Sequence, residues 1–245
     1  MKKLTLSLVT LLSINAYAGG DITPPVIDVV VPVVVPVSNT VDYALGLKVS
    51  TLGVGLDLSI PINNQFNVRL NLNGASYDDT TNESGVDYTY QLDLLTAGVL
   101  VDYYPMSGSE FRVTGGVYYN GNELEMCGQF DGTTGNININ GTPYTTADIG
   151  KLNGKIDFDE IAPYIGIGWG NAVKNSGLSF SVDVGIMYQG EPNVELKATA
   201  LNPLLTVAQT DIINNNIKAE ELDLANELDD YKIYPVISVG VTYTF

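Results

Sequence analysis

The chain lacks histidine altogether and has a single cysteine among its 245 residues. Without an imidazole, Ser-His-Asp catalysis is excluded, and so are most zinc sites. The sequence offers no nucleophile–base pair, glycine-rich phosphate loop or metal-ligand cluster in their place. We therefore expect no enzyme activity, no bound metal and no cofactor. Cys127 cannot form an internal disulfide, and we interpret it as an isolated cysteine rather than a reactive thiol.

Basic residues are also scarce, with 11 Lys and Arg against 28 Asp and Glu. This balance argues against a nucleic-acid partner, which requires clustered positive charge. After residue 18, no segment has the uninterrupted apolar length of a transmembrane helix. Yet 45% of the residues are hydrophobic, and most of them alternate with polar ones. Such alternation is typical of strands with one apolar face.

The N-terminus has the pattern of a secretory signal peptide. Lys2 and Lys3 precede an apolar run, and Ala16 and Ala18 are the small residues of a cleavage site. We predict a signal peptide over 1–18, which would leave nine basic and 28 acidic residues and a net charge of −19.

Residues 19–41 form a separate segment that is rich in valine and proline. The proline spacing favours an extended conformation. We interpret it as a periplasmic segment, either a linker or a strap that lies against the folded part of the chain or a periplasmic partner.

The last nine residues are the clearest strand, with apolar side chains on one face and small or polar ones on the other. This ending resembles the terminal strand of bacterial outer-membrane β-barrels, whose last aromatic residue helps the assembly machinery to recognise them. The apolar positions are Ile237, Val239, Val241, Tyr243 and Phe245.

Seven earlier segments repeat this alternation, and together they predict an all-β fold over 42–245. We expect an eight-stranded antiparallel transmembrane β-barrel, because closure pairs every backbone group and leaves no edge in the bilayer. The connection lengths predict short periplasmic turns and long outer loops. The seven segments lie near 42–50, 52–60, 66–73, 87–104, 111–119, 159–169 and 178–189.

Three strand positions break the regular pattern. The apolar phase of the fourth strand changes near Leu94, which predicts a bulge. Pro163 and Pro235 lie within the sixth and eighth strands, and they predict local bends or bulges because proline removes a ladder donor.

The long outer segments also contain predicted structure. Residues 77–85 are polar and are predicted to be a loop, whereas Asn140-Gly141 predicts the turn of a small hairpin. Apolar residues at helical spacing predict a helix over 213–228. The acidic stretch 220–230 lacks the pattern of an EF-hand loop, so we interpret it as a solvated helix face.

Aromatic residues recur at one end of the outward faces, where a membrane–water interface would favour them. The alternative is that strands attract aromatic residues in any setting. The predicted girdle consists of Tyr43, Phe66, Tyr103, Phe111, Trp169, Phe180 and Phe245.

Charged residues fall on the inward faces and are predicted to line the lumen. They form either an ion-pair network that plugs the barrel or a polar path for a charged solute. The many inward glycines have two interpretations as well, an open lumen or close packing in a small barrel. The predicted lumen residues are Lys48, Asp57, Arg69, Arg112 and Asp183.

Three motifs in the last third of the chain resemble the CarO-like outer-membrane proteins. They are Ile161-Ala-Pro-Tyr-Ile-Gly-Ile-Gly168, Tyr188-Gln-Gly-Glu-Pro-Asn-Val-Glu-Leu196, and the acidic segment 225–231 followed by Pro235-Val236. The resemblance covers about 150–245, and the valine- and proline-rich start and the terminal Phe depart from it. It implies an eight-stranded barrel and passive uptake of small solutes, with basic amino acids such as ornithine and some β-lactams proposed as cargo.

Two functions remain open. The first is a channel-like, porin-type barrel in the outer membrane of the Gram-negative cell envelope, for small cationic or zwitterionic solutes that the acidic loops would concentrate. The second is a closed structural or surface-interaction barrel without transport. The expected partners are the lipid bilayer, lipopolysaccharide, the outer-membrane assembly machinery through the C-terminal strand, and small solutes.

Overall fold

The computed structural model describes residues 43–83, 85–130, 135–145, 148–173, 177–199 and 201–245. The predicted signal peptide and the segment 19–41 lie outside the described residues. Within them the chain forms antiparallel sheets, a long helix α1 (Val207–Glu227) and a 3-10 turn at Asp229–Tyr231. The strands are β1 (Ala44–Ser50), β2 (Gly53–Pro61), β3 (Phe66–Glu83), β4 (Val86–Tyr103), β5 (Phe111–Asn120), β6 (Glu123–Phe130), β7 (Ile137–Ile139), β8 (Thr142–Tyr144), β9 (Lys151–Asp157), β10 (Ile161–Trp169), β11 (Gly177–Tyr188), β12 (Asn193–Thr199) and β13 (Ile233–Thr244).

Eight of these strands close into a ring, in the order β1-β2-β3-β4-β5-β10-β11-β13 and back to β1. The first and last strands of the ring pair along their whole length, from Ala44 opposite Thr244 to Ser50 opposite Ser238. Each predicted strand corresponds to one ring strand, so the all-β antiparallel prediction is confirmed. The predicted strand total was too low, because the described residues contain five further strands.

Three of the additional strands extend the wall of the ring. β4 pairs with β5 over 96–103 and with β6 over 86–93. β9 and β12 complete a five-stranded sheet in the order β3-β4-β6-β9-β12, which we call the upper sheet. Because β6 follows β5, β9 precedes β10, and β12 follows β11 after only a few residues, the upper sheet continues the wall above five ring strands.

The strands β3 and β4 run from the ring into the upper sheet without a bulge. Their register is continuous from Phe66 opposite Tyr103 to Glu83 opposite Val86. The bulge predicted near Leu94 and the polar loop predicted over 77–85 are therefore wrong. The apolar residues of β4 change faces near Leu94 because the upper sheet packs its inner face against a protein core, whereas the ring exposes apolar residues on its outer face.

The inner face of the upper sheet packs against α1 and the β7–β8 hairpin. The helix begins at a capping box formed by Thr206 and Gln209. The hairpin turn holds Asn140 and Gly141 at φ 48° and 71°, as this tight turn requires, so both local predictions are confirmed. Among the described residues no helix is long and apolar enough to cross a membrane. The buried core contains Val86, Tyr88, Tyr90, Leu124, Met126, Ile137, Ile139, Tyr144, Ile149, Leu152, Ile156, Leu196, Ile213, Ile217, Leu224 and Leu228.

Two acidic residues of α1 connect the helix to the hairpin and to the upper sheet by hydrogen bonds. Glu220 is only 5% exposed, and its carboxylate accepts a hydrogen bond of 2.6 Å from the backbone N–H of Asn140. Glu221 accepts one of 2.7 Å from the backbone N–H of Leu196 on β12. The prediction of a solvated acidic face is therefore wrong at Glu220. Glu221 thereby satisfies a backbone N–H on the edge strand of the upper sheet. Unpaired N–H groups on an edge strand can otherwise pair with a strand of another chain.

Both strand prolines lie where their strand has one paired neighbour instead of two. β10 pairs with β5 at Pro163, and its pairing with β11 begins one residue later at Tyr164. Pro235 pairs with Ile186 of β11, and the pairing of β13 with β1 begins at Ser238. The described registers pass through both positions unbroken, so the predicted bulges are wrong. Proline lacks a backbone N–H, and its absence costs less stability where the strand is hydrogen-bonded to a neighbour on one side only.

Candidate functional site: the interior of the ring

The five charged residues predicted to line the lumen all lie inside the ring. Their exposed fractions range from 3% for Arg112 to 8% for Asp57. The structure adds Asp102 of β4, which is 2% exposed and was missed in the sequence. The outward alternation of Val99, Val101 and Tyr103 carries the signal for it, since the residue between them must point inward.

Arg69 is the centre of this ion network, which consists of Lys48, Asp57, Arg69, Asp102, Arg112 and Asp183. Its guanidinium nitrogens lie 2.9 Å from a carboxylate oxygen of Asp102 and 3.2 Å from one of Asp183. A third contact reaches Asp57 at 3.6 Å. Three basic and three acidic side chains therefore balance one another within one buried cluster.

The other two cations complete the network at its margins. Lys48 Nζ lies 3.3 Å from Asp57. Arg112 donates from Nη2 to both carboxylate oxygens of Asp183, at 2.7 and 2.8 Å, and from Nη1 to the carbonyl oxygen of Gly170. Charge-assisted bonds of this kind are the strong ones, and they hold each side chain in one geometry.

Neutral polar side chains satisfy much of the remaining hydrogen-bonding capacity of the carboxylates. Thr114 donates to Asp102 at 2.6 Å, and Ser238 donates to Asp183 at 3.3 Å. Asn71 donates to Asp57 at 2.5 Å. Such partners are needed because a buried charge is costly unless it is paired and hydrogen-bonded.

A second set of buried side chains lies in the ring on the side of the upper sheet, and we call it the apolar layer. Tyr118 and Tyr164 form its centre, with ring centroids 5.5 Å apart and planes at 89°, an edge-to-face arrangement that aromatic pairs favour. The full set is Leu52, Leu100, Tyr118, Ala162, Tyr164, Met187 and Val236.

Glycines make room for these two tyrosine rings. A Cβ atom at Gly98 would come within 2.5 Å of the Tyr118 ring, and one at Gly185 within 2.5 Å of the Tyr164 hydroxyl oxygen. Gly166 also faces Tyr164. At these positions the observed role of the inward glycines is close packing, one of the two interpretations that the sequence left open.

The ion network and the apolar layer are both buried inside the ring. No residue of the ion network or the apolar layer is more than 8% exposed. An eight-stranded ring encloses a space that its own side chains can fill, whereas a water-filled passage would expose the groups along it. Within the described residues, no group of three or more Cys, Asp or Glu side chains is arranged to hold a metal ion.

The seven aromatic residues of the predicted girdle lie toward the end of the ring opposite the upper sheet, which we call the lower end. Phe66 stacks on Tyr103 at 4.8 Å, and Tyr43 stacks on Phe245 at 5.2 Å. Trp169 lies opposite Phe111 in the β5–β10 register. Phe180 on β11 is 71% exposed.

Above these aromatics the outer surface of the ring is a continuous apolar band. Leu47 is 58% exposed, Val49 61% and Ile165 59%, an unusual density for a surface in water. The apolar face of β11 runs from Leu178 to Tyr188, about 34 Å at the usual rise of a strand. At a tilt of about 45° this length spans about 24 Å, close to the height of the lipid-facing band of membrane barrels.

Comparison with known proteins gives a fold match. No family model and no curated protein matches the chain. Among solved structures, it is similar to Acinetobacter baumannii CarO, with 24% identity and a TM-score of 0.52 over 83% of this chain and 97% of that one. It is also similar to A. baumannii CarO2, with 23% identity and a TM-score of 0.54 over 84% of this chain and 99% of that one.

A more distant likeness is to a major outer membrane protein from Thermus thermophilus, with 14% identity and a TM-score of 0.37 over 84% of this chain and 100% of that one. The resemblance predicted from the motifs at 161–168, 188–196 and 225–236 is confirmed at the level of the fold. The chain thus has the fold of the CarO-like proteins of the bacterial outer membrane.

Proposed function

We propose that this chain is a bacterial outer-membrane protein with a closed transmembrane barrel, and that its upper sheet, hairpin and helix form an outer interaction unit. The apolar band of the ring supports its insertion into the bilayer. The buried ion network and apolar layer support closure against solutes. In this proposal the surface above the membrane carries the function, and the ring anchors it.

The sidedness of the ring follows from the lengths of its connections. The strands are joined at the lower end by 62–65, 104–110 and 170–176, whereas the much longer segments 121–160 and 189–232 leave from the other end. Outer-membrane barrels have short periplasmic turns and longer outer segments. We therefore assign the aromatic girdle to the periplasmic interface and the upper sheet to the cell exterior.

The burial of the balanced ion network is the observation that carries the proposal. A solute that crosses the ring must separate Arg69 from Asp102 or Asp183, and then displace Tyr118 and Tyr164. Removing one partner of a buried ion pair costs about 3–5 kcal/mol. This cost opposes passage of any ion, and the zero net charge of the six groups gives no preference for cations.

Conductance and flux measurements test closure directly. The full chain is inserted into planar bilayers and into liposomes, and insertion is verified by its resistance to externally added protease. We expect no stepwise conductance, and no entry of ornithine, glutamate or an uncharged sugar above protein-free controls. Sustained flux of any of the three would overturn the closed-barrel proposal.

Passive uptake of small cationic or zwitterionic solutes is the second candidate. The acidic exterior, with Glu191, Asp229 and Asp230 near the upper rim of the ring, favours it because negative potential concentrates cations. The family resemblance favours it as well. This function requires the ion network to rearrange, and its signature in the same flux experiment would be entry of ornithine well above that of glutamate.

A further inference from the structure

The outer face of the upper sheet is a flat array of polar side chains, which we call the polar wall. Four outward residues from each of five strands make twenty positions, and every one except Cys127 is charged or carries an amide or hydroxyl group. None of the twenty is buried. The alternating positions run over 76–82 of β3, 87–93 of β4, 123–129 of β6, 151–157 of β9 and 193–199 of β12.

The strand registers align these positions into rows across the sheet. One row consists of Thr80, Thr89, Cys127, Asn153 and Lys197, each directly opposite the next. Cross-strand partners such as Thr80 and Thr89, 3.4 Å apart, contact each other. The wall therefore presents fixed hydroxyl and amide groups at the spacing of the strands, about 4.8 Å.

The polar wall is continuous with the lipid-facing surface of the ring. In β4 the outward alternation continues from Val99 and Leu95 to Asp93 and Gln91 with no interruption of the register. Only the chemistry changes, from apolar to polar, between Leu95 and Asp93. In the orientation assigned above, the wall thus stands directly over the outer leaflet, beside the head groups of the lipids that surround the ring.

The charges of the wall determine whether it favours the phosphate groups or the sugar groups of those lipids. Its positions include seven acidic and three basic side chains. Lys155 and Lys197 are already engaged, by Glu123 at 2.6 Å and by Glu195 at 2.9 Å, and these bonds raise the pKa of both lysines. A surface with this balance repels phosphate, whereas its nine uncharged hydroxyl and amide side chains suit the hydroxyl groups of sugars.

We propose that the polar wall binds the uncharged sugars of the lipopolysaccharide core in the outer leaflet. The inference rests on the outer-membrane placement proposed above, and it assigns a binding surface and a chemical group to the lipopolysaccharide expected from the sequence. It is independent of whether the ring conducts solutes.

Cys127 is a native reporter for this contact, because it is the only cysteine of the chain and lies in the middle of the wall. The full-length protein is placed in nanodiscs of phospholipid, of lipopolysaccharide with its core sugars, or of lipid A without core sugars. The rate of labelling by a membrane-impermeant maleimide is then measured. We expect labelling to be at least about fivefold slower with core sugars than in the other two discs, since bound sugar covers the thiol.

A thiol on a different face is the matched control. Leu222 of α1 is 62% exposed, and a Leu222→Cys variant in a Cys127→Ser background reports crowding by sugars in general. We expect its rate to differ by less than about twofold among the discs. Equal slowing at both thiols, or equal Cys127 rates in all three discs, would overturn the proposal.

A second variant separates binding from mere proximity. Thr89 and Asn153 flank Cys127 in the same row, and replacing both with alanine removes hydrogen-bonding groups without changing the core. We expect core sugars to slow Cys127 labelling by less than about twofold in this variant. Full protection would contradict recognition by the wall. Failure of the chain to insert into any disc would instead contradict the membrane placement.

Discussion

Asp183 is the residue on which the ion network most depends, because it contacts both Arg69 and Arg112. An Asp183→Asn substitution keeps the shape but leaves two buried guanidinium groups without this anion. We expect the free energy of unfolding to fall by about 3–5 kcal/mol. Urea unfolding in detergent micelles, followed by the fluorescence of the only tryptophan, Trp169, measures the change.

Glu195→Gln is the matched control for loss of a carboxylate. Glu195 pairs with Lys197 at 2.9 Å, but its side chain is 51% exposed. Water and salt screen such a pair, so we expect a much smaller loss than for Asp183→Asn. A similar loss for the two substitutions would mean that burial does not decide the contribution of the network.

Gly98 permits the Tyr118 ring to lie against the backbone of β4. A Gly98→Ala substitution brings a methyl group within 2.5 Å of that ring and should cost about 1–3 kcal/mol through overpacking. Gly115 of β5 has no heavy atom nearer than 4.0 Å to an added Cβ, so Gly115→Ala should change the free energy of unfolding by less than about 0.5 kcal/mol. The same urea titration compares them, and equal effects would contradict the packing role of Gly98.

At the scale of elements, α1 stabilises the upper sheet through a single buried face. Leu224 is 2% exposed, whereas Leu222 on the same helix is 62% exposed. Leu224→Ala should destabilise the helix and the strands beneath it by about 2–4 kcal/mol, while Leu222→Ala should have little effect. Hydrogen exchange of membrane-inserted protein measures this, with faster exchange expected in α1 and β12 and unchanged exchange in β1 and β13.

That experiment would also show whether the upper unit opens separately from the ring. The ring strands hold their own hydrogen-bond ladders, so loss of the helix contact leaves them paired. If Leu224→Ala accelerated exchange in the ring as much as in α1, the two parts would form one cooperative unit, contrary to this expectation.

The ring strands could be predicted because each carries apolar residues on alternate positions, as Leu178, Phe180 and Val182 do in β11. The same alternation led to a wrong prediction in β4, a bulge near Leu94. The aromatic side chains of Tyr88 and Tyr90 change phase there because they point inward, into the core beneath the upper sheet. Period-two patterns do not reveal which face is buried. In β6, Leu124 and Met126 alternate with polar residues as well, but the segment is short and its outward face is polar, so nothing marks it as a continuation of the ring wall.

At the scale of the whole molecule, the inward charges could be predicted but their pairing could not. Alternation assigns Lys48, Asp57 and Arg69 to the interior. Which carboxylate meets which cation depends on the stagger of strands around the closed ring, and Arg69 meets Asp183 across 114 residues of sequence. The sequence therefore left open whether the inward charges form a plug or a path, whereas the register of eight strands brings six charges into one cluster.

Ring closure finally joins the two ends of the described chain, and this permits a test of the C-terminal aromatic. Phe245 stacks on Tyr43 at 5.2 Å. Phe245→Ala and Tyr43→Ala remove the same stack, so both should lower the free energy of unfolding of the refolded protein by about 1 kcal/mol. If the assembly machinery reads the terminal residue, only Phe245→Ala should reduce the amount inserted into outer membranes, several-fold beyond Tyr43→Ala. Quantification of the heat-modifiable folded form in membrane fractions measures this. Equal reductions would assign Phe245 a purely structural role. The two variants share the lost stack, and Phe245→Ala loses in addition only the terminal ring and its edge-to-face contact with Tyr243 at 5.0 Å.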